Sequence, residues 1–433
     1  MFDFLKKLKP AKEKPKSDAK KAADKKPKKE DPKKAARQAE REKRIHSVME
    51  KTGWDYKEAS EKMRAAKKTI GISYKDYDRN DFFAVAPEDQ EETYQAIVER
   101  KARRKAHKER EEAEIITKIM AVTGWDQETA VANVKEAQKR TGCTYKEFLI
   151  YRFFDLTPEE QEKVFVAKFS RKLTAKYDVD PKFVAMLYDK EATNNYFPEL
   201  VRRPWCVNTK ISLEDFTEKF AESKRIIYKP LDGHRGMGVE AFDVNRENAQ
   251  EVFNELQTFP EGVVEQYVVQ HSEMSRICPT SVNTIRIVTI SSNTQPVTPD
   301  GKYADIAYAS LRMGGGNSIV DNFHSGGMVA NIDLETGKMV TDAADMDGHV
   351  FANHPATGTK IKGFQIPFFQ EALDMVTEAI KVHKVQGYLG WDVAITEDGP
   401  LLIELNVVPG VVLLSTPYVA EKKGMKYVME KYL

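Results

Sequence analysis

The chain has 433 residues, 41% of them apolar and 31% charged, with a formal net charge of +1. That length allows two or three domains, and the apolar share supports packed cores, which excludes a wholly disordered protein. The near-neutral total hides an asymmetry: residues 1–45 carry 18 Lys/Arg against 8 Asp/Glu, a net +10, so the rest carries −9 and the body is not that of a nucleic-acid binder.

From Pro10 to Arg44 the composition is Lys, Ala, Asp, Glu and Pro with almost no apolar anchor, which predicts a disordered basic tail (residues 1–43) turning helical towards Gln38. Ahead of it, Phe2, Leu5 and Leu8 fall on one helical face beside Lys6, Lys7 and Lys9. An apolar patch next to a basic run is the two-part signal for an anionic membrane surface; the alternative is a plain solvated tail.

A repeat with a period of 71 follows, in a helical region read as residues 44–164. Met49-Glu50-Lys51-Thr52-Gly53-Trp54-Asp55 returns as Met120-Ala121-Val122-Thr123-Gly124-Trp125-Asp126. Gly71, Tyr74-Lys75, Phe82-Phe83, Pro87-Glu88 and Gln90 return as Gly142, Tyr145-Lys146, Phe153-Phe154, Pro158-Glu159 and Gln161. Each unit reads as helix, Thr-Gly-Trp-Asp junction, helix, glycine stop and a short third helix. The glycine ends one helix and the aspartate caps the next. Trp54 and Trp125 are expected at helix crossings. Glu99 to Glu114 reads as a charged helix without an apolar stripe. Two copies are too few for a solenoid and suggest a duplicated docking module.

Pro158 to Thr209 reads as mainly helical. Arg225 to Pro230 then reads as a strand, followed by Leu231-Asp232-Gly233-His234-Arg235-Gly236-Met237-Gly238-Val239. Three glycines in six residues allow close backbone approach, and free N–H groups there can cradle phosphate oxygens, with Lys229 at the strand end beside them. A simple hairpin turn is the other reading. Asn283 to Val288 alternates like a half-buried strand, with Asn283 out of phase with Arg286 and so expected at its start. Arg286 offers a fork for a phosphate or carboxylate, and Arg312 a similar one; a surface ion pair is the alternative. The segment Asp321-Asn322-Phe323-His324-Ser325-Gly326-Gly327 can present loop N–H groups to an oxyanion, or be a glycine turn. His324 and His354 have no evident partner and read as structural.

The C-terminal motif is Gly390 to Ile395 and Pro400 to Asn406, two strands joined at Glu397-Asp398-Gly399-Pro400. Alternation puts Glu404 and Asn406 on one face, and pairing brings Asp392 to it. Three oxygen ligands on one spot suit Mg²⁺ shared with phosphate; a solvated polar hairpin face is the alternative.

Together these motifs resemble the ATP-grasp superfamily, and within it the sugar-transfer-associated branch, from about Phe165 to the C-terminus. The resemblance implies an α+β fold, in which two α+β subdomains clasp ATP, in residues 165–433, preceded by the helical duplicated region and the basic tail. It implies that Lys190, in LYDKEATNNYF, and Lys229, in YKP, contact the nucleotide phosphates. It gives the loop Asp232 to Val239, with Gly233, Arg235, Gly236 and Gly238, the role of closing over them. The stretch Val263 to Val268, with Glu265, Gln266 and Tyr267, resembles the linker that meets adenine through its backbone. Glu273 matches the acid that takes the ribose hydroxyls, and Asp392, Glu404 and Asn406 match the metal ligands. The branch name implies a sugar-linked setting such as surface polysaccharide synthesis. No alternating α/β substrate domain precedes the nucleotide region, so the helical segment is a candidate for that role.

The expected activity is an ATP- and Mg²⁺-dependent ligase that joins a small-molecule carboxylate to an amine or sugar-linked nucleophile through an acyl phosphate, with Arg286 and Arg312 at the phosphoryl group. The alternatives are a kinase of a sugar or small acid, and a nucleotide-binding scaffold organising a membrane-associated synthesis complex. Cys143, Cys206 and Cys278 form neither a disulfide framework nor a metal spacing, which suggests a reducing cytoplasm. Peripheral contact at the inner membrane face is expected only through the tail. No apolar stretch has the length of a membrane helix, roughly 18 residues or more, and no secretory h-region is present.

Overall fold

The computed structural model describes residues 32–70, 90–177, 180–231, 238–316, 321, 323 and 326–433. The basic tail to residue 31, the first-copy positions from Gly71 to Glu88, the loop residues Gly233, Arg235 and Gly236, and Asn322, His324 and Ser325 lie outside the described residues. The chain divides into two compact units, Met1–Glu109 and Arg110–Leu433.

In the first unit, helices Pro32–Thr52 and Tyr56–Ile70 meet at a Thr-Gly-Trp-Asp junction. Gly53 takes a φ of 72°, its N–H donates to the Met49 carbonyl, and the Asp55 carboxylate caps the second helix at the Glu58 N–H, 2.8 Å away. Ile45, Val48, Ala59 and Met63 fill the crossing.

The same local design returns in the second unit, at the C-terminal end of a helix whose first residues belong to the first unit. Helix Gln90–Thr123 stops at Gly124, φ 73°, and helix Gln127–Thr141 is capped by Asp126 at the Thr129 N–H, also 2.8 Å. The buried positions return at the same spacing: Ile116, Ile119, Ala130 and Val134. Residues 99–114 of the long helix are exposed apart from Glu112, as a charged stretch without an apolar stripe requires. Helix Tyr145–Ile150 follows, opened by a reciprocal capping box between Thr144 and Glu147.

The division at 109/110 puts this second copy with the sheets, not apart from them. Val164, Val166 and Val419 share one apolar cluster with Ile116, Phe148 and Ile150, so no boundary can be cut at 164 without opening that core.

Two antiparallel sheets build the rest. The smaller contains β1 (Trp205–Val207), β2 (Lys224–Pro230), β3 (Glu240–Val244) and β4 (Gly262–Gln266) in the order β1-β4-β2-β3. Helices Leu213–Phe220 and Ala249–Leu256 cover it, with Phe216, Phe220 and Leu256 in its core. The larger contains β5 (Thr284–Ser291), β6 (Ala304–Met313), β7 (Met328–Ile332), β8 (Ala343–Ala344), β9 (Val350–Phe351), β10 (Gly387–Thr396) and β11 (Gly399–Asn406), in the order β11-β10-β5-β6-β7-β8-β9.

The period of two sorts the side chains of this larger sheet. Ile285, Ile287, Leu311, Trp391, Val393 and Leu405 face one way, into the main core under helix Phe369–Val382. Val288, Ile290, Tyr308 and Tyr388 face the other way, against Phe165, Leu173 and the C-terminal Met429 and Tyr432. The polar residues of the candidate site continue that second face.

Candidate active site

The terminal hairpin forms where its alternation places it. Asp392 pairs with Glu404 and Gly390 with Asn406, but Val393 pairs with Leu402. Ile403 is therefore an extra residue, a β-bulge. The bulge re-phases the strand, so Leu402 and Leu405 both reach the main core while Glu404 and Asn406 share the opposite face. On its other side Asp392 pairs in register with Arg286 of β5. Arg286, Asp392 and Glu404 thus stand in one row across three strands.

Asp392 is the hub of a buried network. Arg286 grips it as a fork, through Nε to Oδ1 and through Nη2 to Oδ2 at 2.9 Å. Arg312 Nη1 donates to Oδ2 at 2.6 Å, and Asn406 Nδ2 at 3.3 Å. Arg312 Nη2 also donates to Asp321 Oδ1 at 2.9 Å, and Asp321 Oδ2 accepts from the Thr284 backbone and hydroxyl. Arg286 Nη1 reaches the Pro409 carbonyl and so ties down the loop after β11. Gly390 makes room for this, because a Cβ there would lie 2.9 Å from Arg286 Cδ and 3.0 Å from Pro409 Cα.

The electrostatics follow. Burial alone would raise the Asp392 pKa, but the Arg286 and Arg312 guanidiniums outweigh it and hold the carboxyl below its ordinary value. Burial opposes charge on Arg312 too, yet Asp321 and Asp392 hold it firmly cationic. For Asp321 burial prevails over Arg312, and its pKa rises. Glu404 is walled in by protein atoms, which together with the Asp392 charge raises its pKa; its surface is nevertheless open to solvent, which weakens the effect.

Opposite stands the small sheet. Lys190 Nζ donates to the carbonyls of Pro230 and Leu231, at 2.9 and 3.1 Å. Its ammonium therefore sits at the end of β2 beside Lys229, where the glycine-rich segment begins. Lys229 Nζ lies 2.7 Å from Glu265 Oε2, and its charge is also felt at Glu404. The segments flanking the small sheet touch the large one: Arg203, just before β1, donates through Nη1 to the Leu402 carbonyl of β11 at 2.7 Å, and the His271 N–H, beyond β4, to the Ile395 carbonyl of β10 at 2.7 Å.

Several expectations change in detail. Glu265 is not in an open linker: β4 lies between β1 and β2, and the Glu265 backbone is paired on both sides. Its carboxylate is engaged by Arg203, Lys229 and Asn194. Burial is overcome by Arg203 first and Lys229 second, and the pKa falls to about 2. The N–H groups of Gln266 and Tyr267 donate to the Pro204 and Arg225 carbonyls. Glu273 is exposed on helix Ser272–Ile277 and paired with Arg276. Asn283 precedes β5, as its phase required, and its Nδ2 clamps the Gln270 side chain and the Met274 and Cys278 carbonyls. Arg286 and Arg312 are not surface ion pairs. From Asp321 it is the carboxylate that counts here. His354 is buried, its ring bonded to the Gly314 carbonyl and the Ala356 N–H.

Arg203, Asn194 and Thr284 escaped the sequence reading, since nothing local distinguishes them; each matters through a partner far along the chain.

The donor set on this face of the hairpin consists of oxygens, from Glu404 and from the Asn406 amide, beside Asp392. It fits a hard cation such as Mg²⁺. Among the described residues no three His, Cys, Asp or Glu side chains gather at one point, so the fit rests on carboxylate and amide together.

Residues 179–431, more than half of the chain, match the family described as sugar-transfer associated ATP-grasp. The chain belongs to that family. Its α+β architecture is the ATP-grasp fold. Solved structures that resemble this ATP-grasp chain include the following three. D-alanyl-alanine synthetase A from Vibrio cholerae is 12% identical with a TM-score of 0.34, over 58% of this chain and 66% of that one, just under two thirds. D-alanine–D-alanine ligase from Bacillus anthracis is 13% identical at a TM-score of 0.31, over 57% and 67%. A RimK-domain ATP-grasp protein from Sphaerobacter thermophilus is 14% identical at 0.29, over 56% and 67%. Likenesses this distant carry no functional weight. A search of curated protein sequences finds no significant match.

Proposed function

We propose that this ATP-grasp protein is an ATP-dependent ligase that activates a carboxylate as an acyl phosphate and passes the acyl group to an amine or related nucleophile on a sugar-linked substrate. The observation that supports the reading is a short chain of contacts from the glycine-rich segment to β11: Lys229 to Glu265, Glu265 to Arg203, and Arg203 to the Leu402 carbonyl. Lys190 and Lys229 stand at the head of the glycine-rich segment, and the Lys229 charge is felt at Glu404 on β11, which shares its face with Asn406. Bound Mg²⁺ would offset charge on the nucleotide phosphates, held by the Glu404 carboxylate and the Asn406 amide oxygen.

The protein's part is positioning and electrostatics. The lysines hold phosphate oxygens. The substrate carboxylate attacks the γ-phosphorus, the bond to the bridging oxygen breaks, and ADP leaves. Arg286 and Arg312 present positive charge towards the acyl phosphate. The amine then displaces phosphate. No protein nucleophile is needed. The segment Asp232 to Val239 is proposed to close over the phosphates, and the edge after β4 to receive the base, with Glu273 at the ribose. The sugar-linked setting rests on the family description. A cytoplasmic location and membrane contact through the tail remain part of the proposal; among the described residues no helix is long and apolar enough to cross a membrane.

The test is ADP release from ATP and Mg²⁺, screened over amino acids and uronic-acid sugars, with hydroxylamine added. A ligase gives hydroxamate and loses turnover by roughly a hundredfold or more in Glu404→Gln. ADP without hydroxamate would identify a kinase, and no substrate-dependent ADP would leave a binding scaffold.

A further inference from the structure

The small sheet has two faces, and the period of two assigns them. Cys206, Ile226, Tyr228 and Val264 turn to the two covering helices. Lys229 and Glu265, each next in sequence to one of these, belong to the other face. Glu265 pairs in register with Trp205 of β1 and Ile227 of β2. Arg203, two residues before Trp205, and Lys229, two after Ile227, are therefore its diagonal neighbours, within reach of long side chains. Arg203 Nε and Nη2 donate to Glu265 Oε2 at 3.1 and 2.8 Å, and Lys229 Nζ donates to the same oxygen at 2.7 Å. Asn194 Nδ2 donates to Oε1 at 3.2 Å. Arg203 is pinned in turn, because its Nη1 donates to the Val201 and Leu402 carbonyls.

The charges do not balance. The side chains of Arg203, Glu265 and Lys229 are 3%, 4% and 19% exposed. Two cations share one carboxylate, so among the described residues this set sums to +1. Glu404 also feels Lys229, but it is open to solvent, which screens it. Burial would raise the Glu265 pKa, yet Arg203 first and Lys229 second bring it down to about 2. Arg203 is thus the chief counterion of the carboxylate. The surplus charge lies with Lys229, the more open partner, whose ammonium has three N–H donors and gives one to Glu265. Without Arg203, Glu265 and Lys229 would form a neutral pair with little net attraction for an anion.

Resting on the proposed contact between Lys229 and the nucleotide phosphates, we infer that Arg203 is a positioning residue that sets phosphate affinity: it neutralises Glu265 and so leaves the Lys229 charge to the phosphates. Glu265 aims the lysine. Arg203 keeps Glu265 from cancelling it, and acts through Lys229 rather than by touching the nucleotide.

The experiment is equilibrium dialysis of the full-length chain, with Mg²⁺, against a labelled non-hydrolysable ATP analogue and, separately, labelled adenosine. Arg203→Gln brings the set to zero and is expected to weaken the analogue by about tenfold or more, with adenosine within about twofold. Glu265→Gln brings it to +2 and should bind the analogue at least as tightly as the unaltered protein. The double variant returns the set to +1 and should recover the analogue to within about threefold. Unchanged analogue affinity in folded Arg203→Gln would overturn the inference. So would an equal loss of adenosine, which marks a merely structural role, or a double variant as weak as Arg203→Gln, which marks geometry rather than charge. If Arg203→Gln does not fold, Glu265→Gln and the double variant decide: the double should bind the analogue about threefold or more weakly, and equal affinities overturn the inference. If the unaltered protein holds the analogue no more tightly than adenosine, the functional proposal itself falls and this inference goes with it.

Discussion

Glu265 is a buried carboxylate that stays ionised because Arg203, Lys229 and Asn194 converge on it. Its pKa drops from an ordinary 4.5 to about 2. A depressed folded-state value means stability that is complete above about 4.5 and lost as the pH falls towards 2, worth about 3 kcal/mol from the size of that shift. Thermal melts across that range should show Glu265→Gln less stable at neutral pH and less sensitive to acid than the unaltered protein. Parallel acid profiles would show that the Arg203–Glu265 pair is not what titrates. Gly390 acts by size alone. Adding a Cβ sets it 2.9 Å from Arg286 Cδ and 3.0 Å from backbone Pro409 Cα. The arginine must give way, and with it the fork on Asp392. Gly390→Ala should cost about 1–3 kcal/mol in a denaturant melt and depress kcat more than ATP binding. Full stability with full turnover would mean that Arg286 has another place to go.

At the scale of elements, the sequence announced what depends on local pattern. The terminal hairpin was legible from alternation and from Glu397-Asp398-Gly399-Pro400, and it gave Glu404 and Asn406 one face without further help. The bulge at Ile403 was not, because two-against-one pairing is settled by the partner strand. Arg286 was found as a cation on a strand, but its pairing with Asp392 depends on a register joining residues 106 apart. The place of Val263 to Gln266 in the sheet was illegible for a similar reason: the stretch carries the same apolar pattern whether it closes an open edge or lies between two strands, and β4 lies between two. Roles that rest on one element's period can be read from the chain. Roles that rest on which element comes alongside cannot.

At the scale of the molecule the 71-residue period was plain in the sequence, while the different standing of its two copies was not, although one signal was there. Leu149-Ile150-Tyr151 ends the third helix of the second copy, and Asp78-Arg79-Asn80 stands at the same place in the first. The apolar version belongs to a buried seam. The Ala167 N–H donates to Glu147 Oε1 at 2.6 Å, Ser415 Oγ to the Phe165 carbonyl at 2.8 Å, and the Lys426 N–H to the Lys163 carbonyl at 3.0 Å. Tyr151 lies buried, its phenol near Ser415 and Tyr388 and its pKa raised first by burial. The second copy therefore packs on Val164, Val166 and Val419, beside the residues that cover the face of the large sheet carrying Arg286. A chain beginning at Arg110 cuts the long helix in its exposed stretch and should melt as one cooperative unit. A chain beginning at Phe165 would strip Phe148, Ile150 and Phe153 from Val166 and Val419, leaving apolar surface open and the Ala167 N–H without its acceptor. It should be insoluble, or lose the cooperative transition in calorimetry. A soluble, sharply melting 165–433 fragment would instead make the second copy an accessory that the nucleotide-binding region does not need.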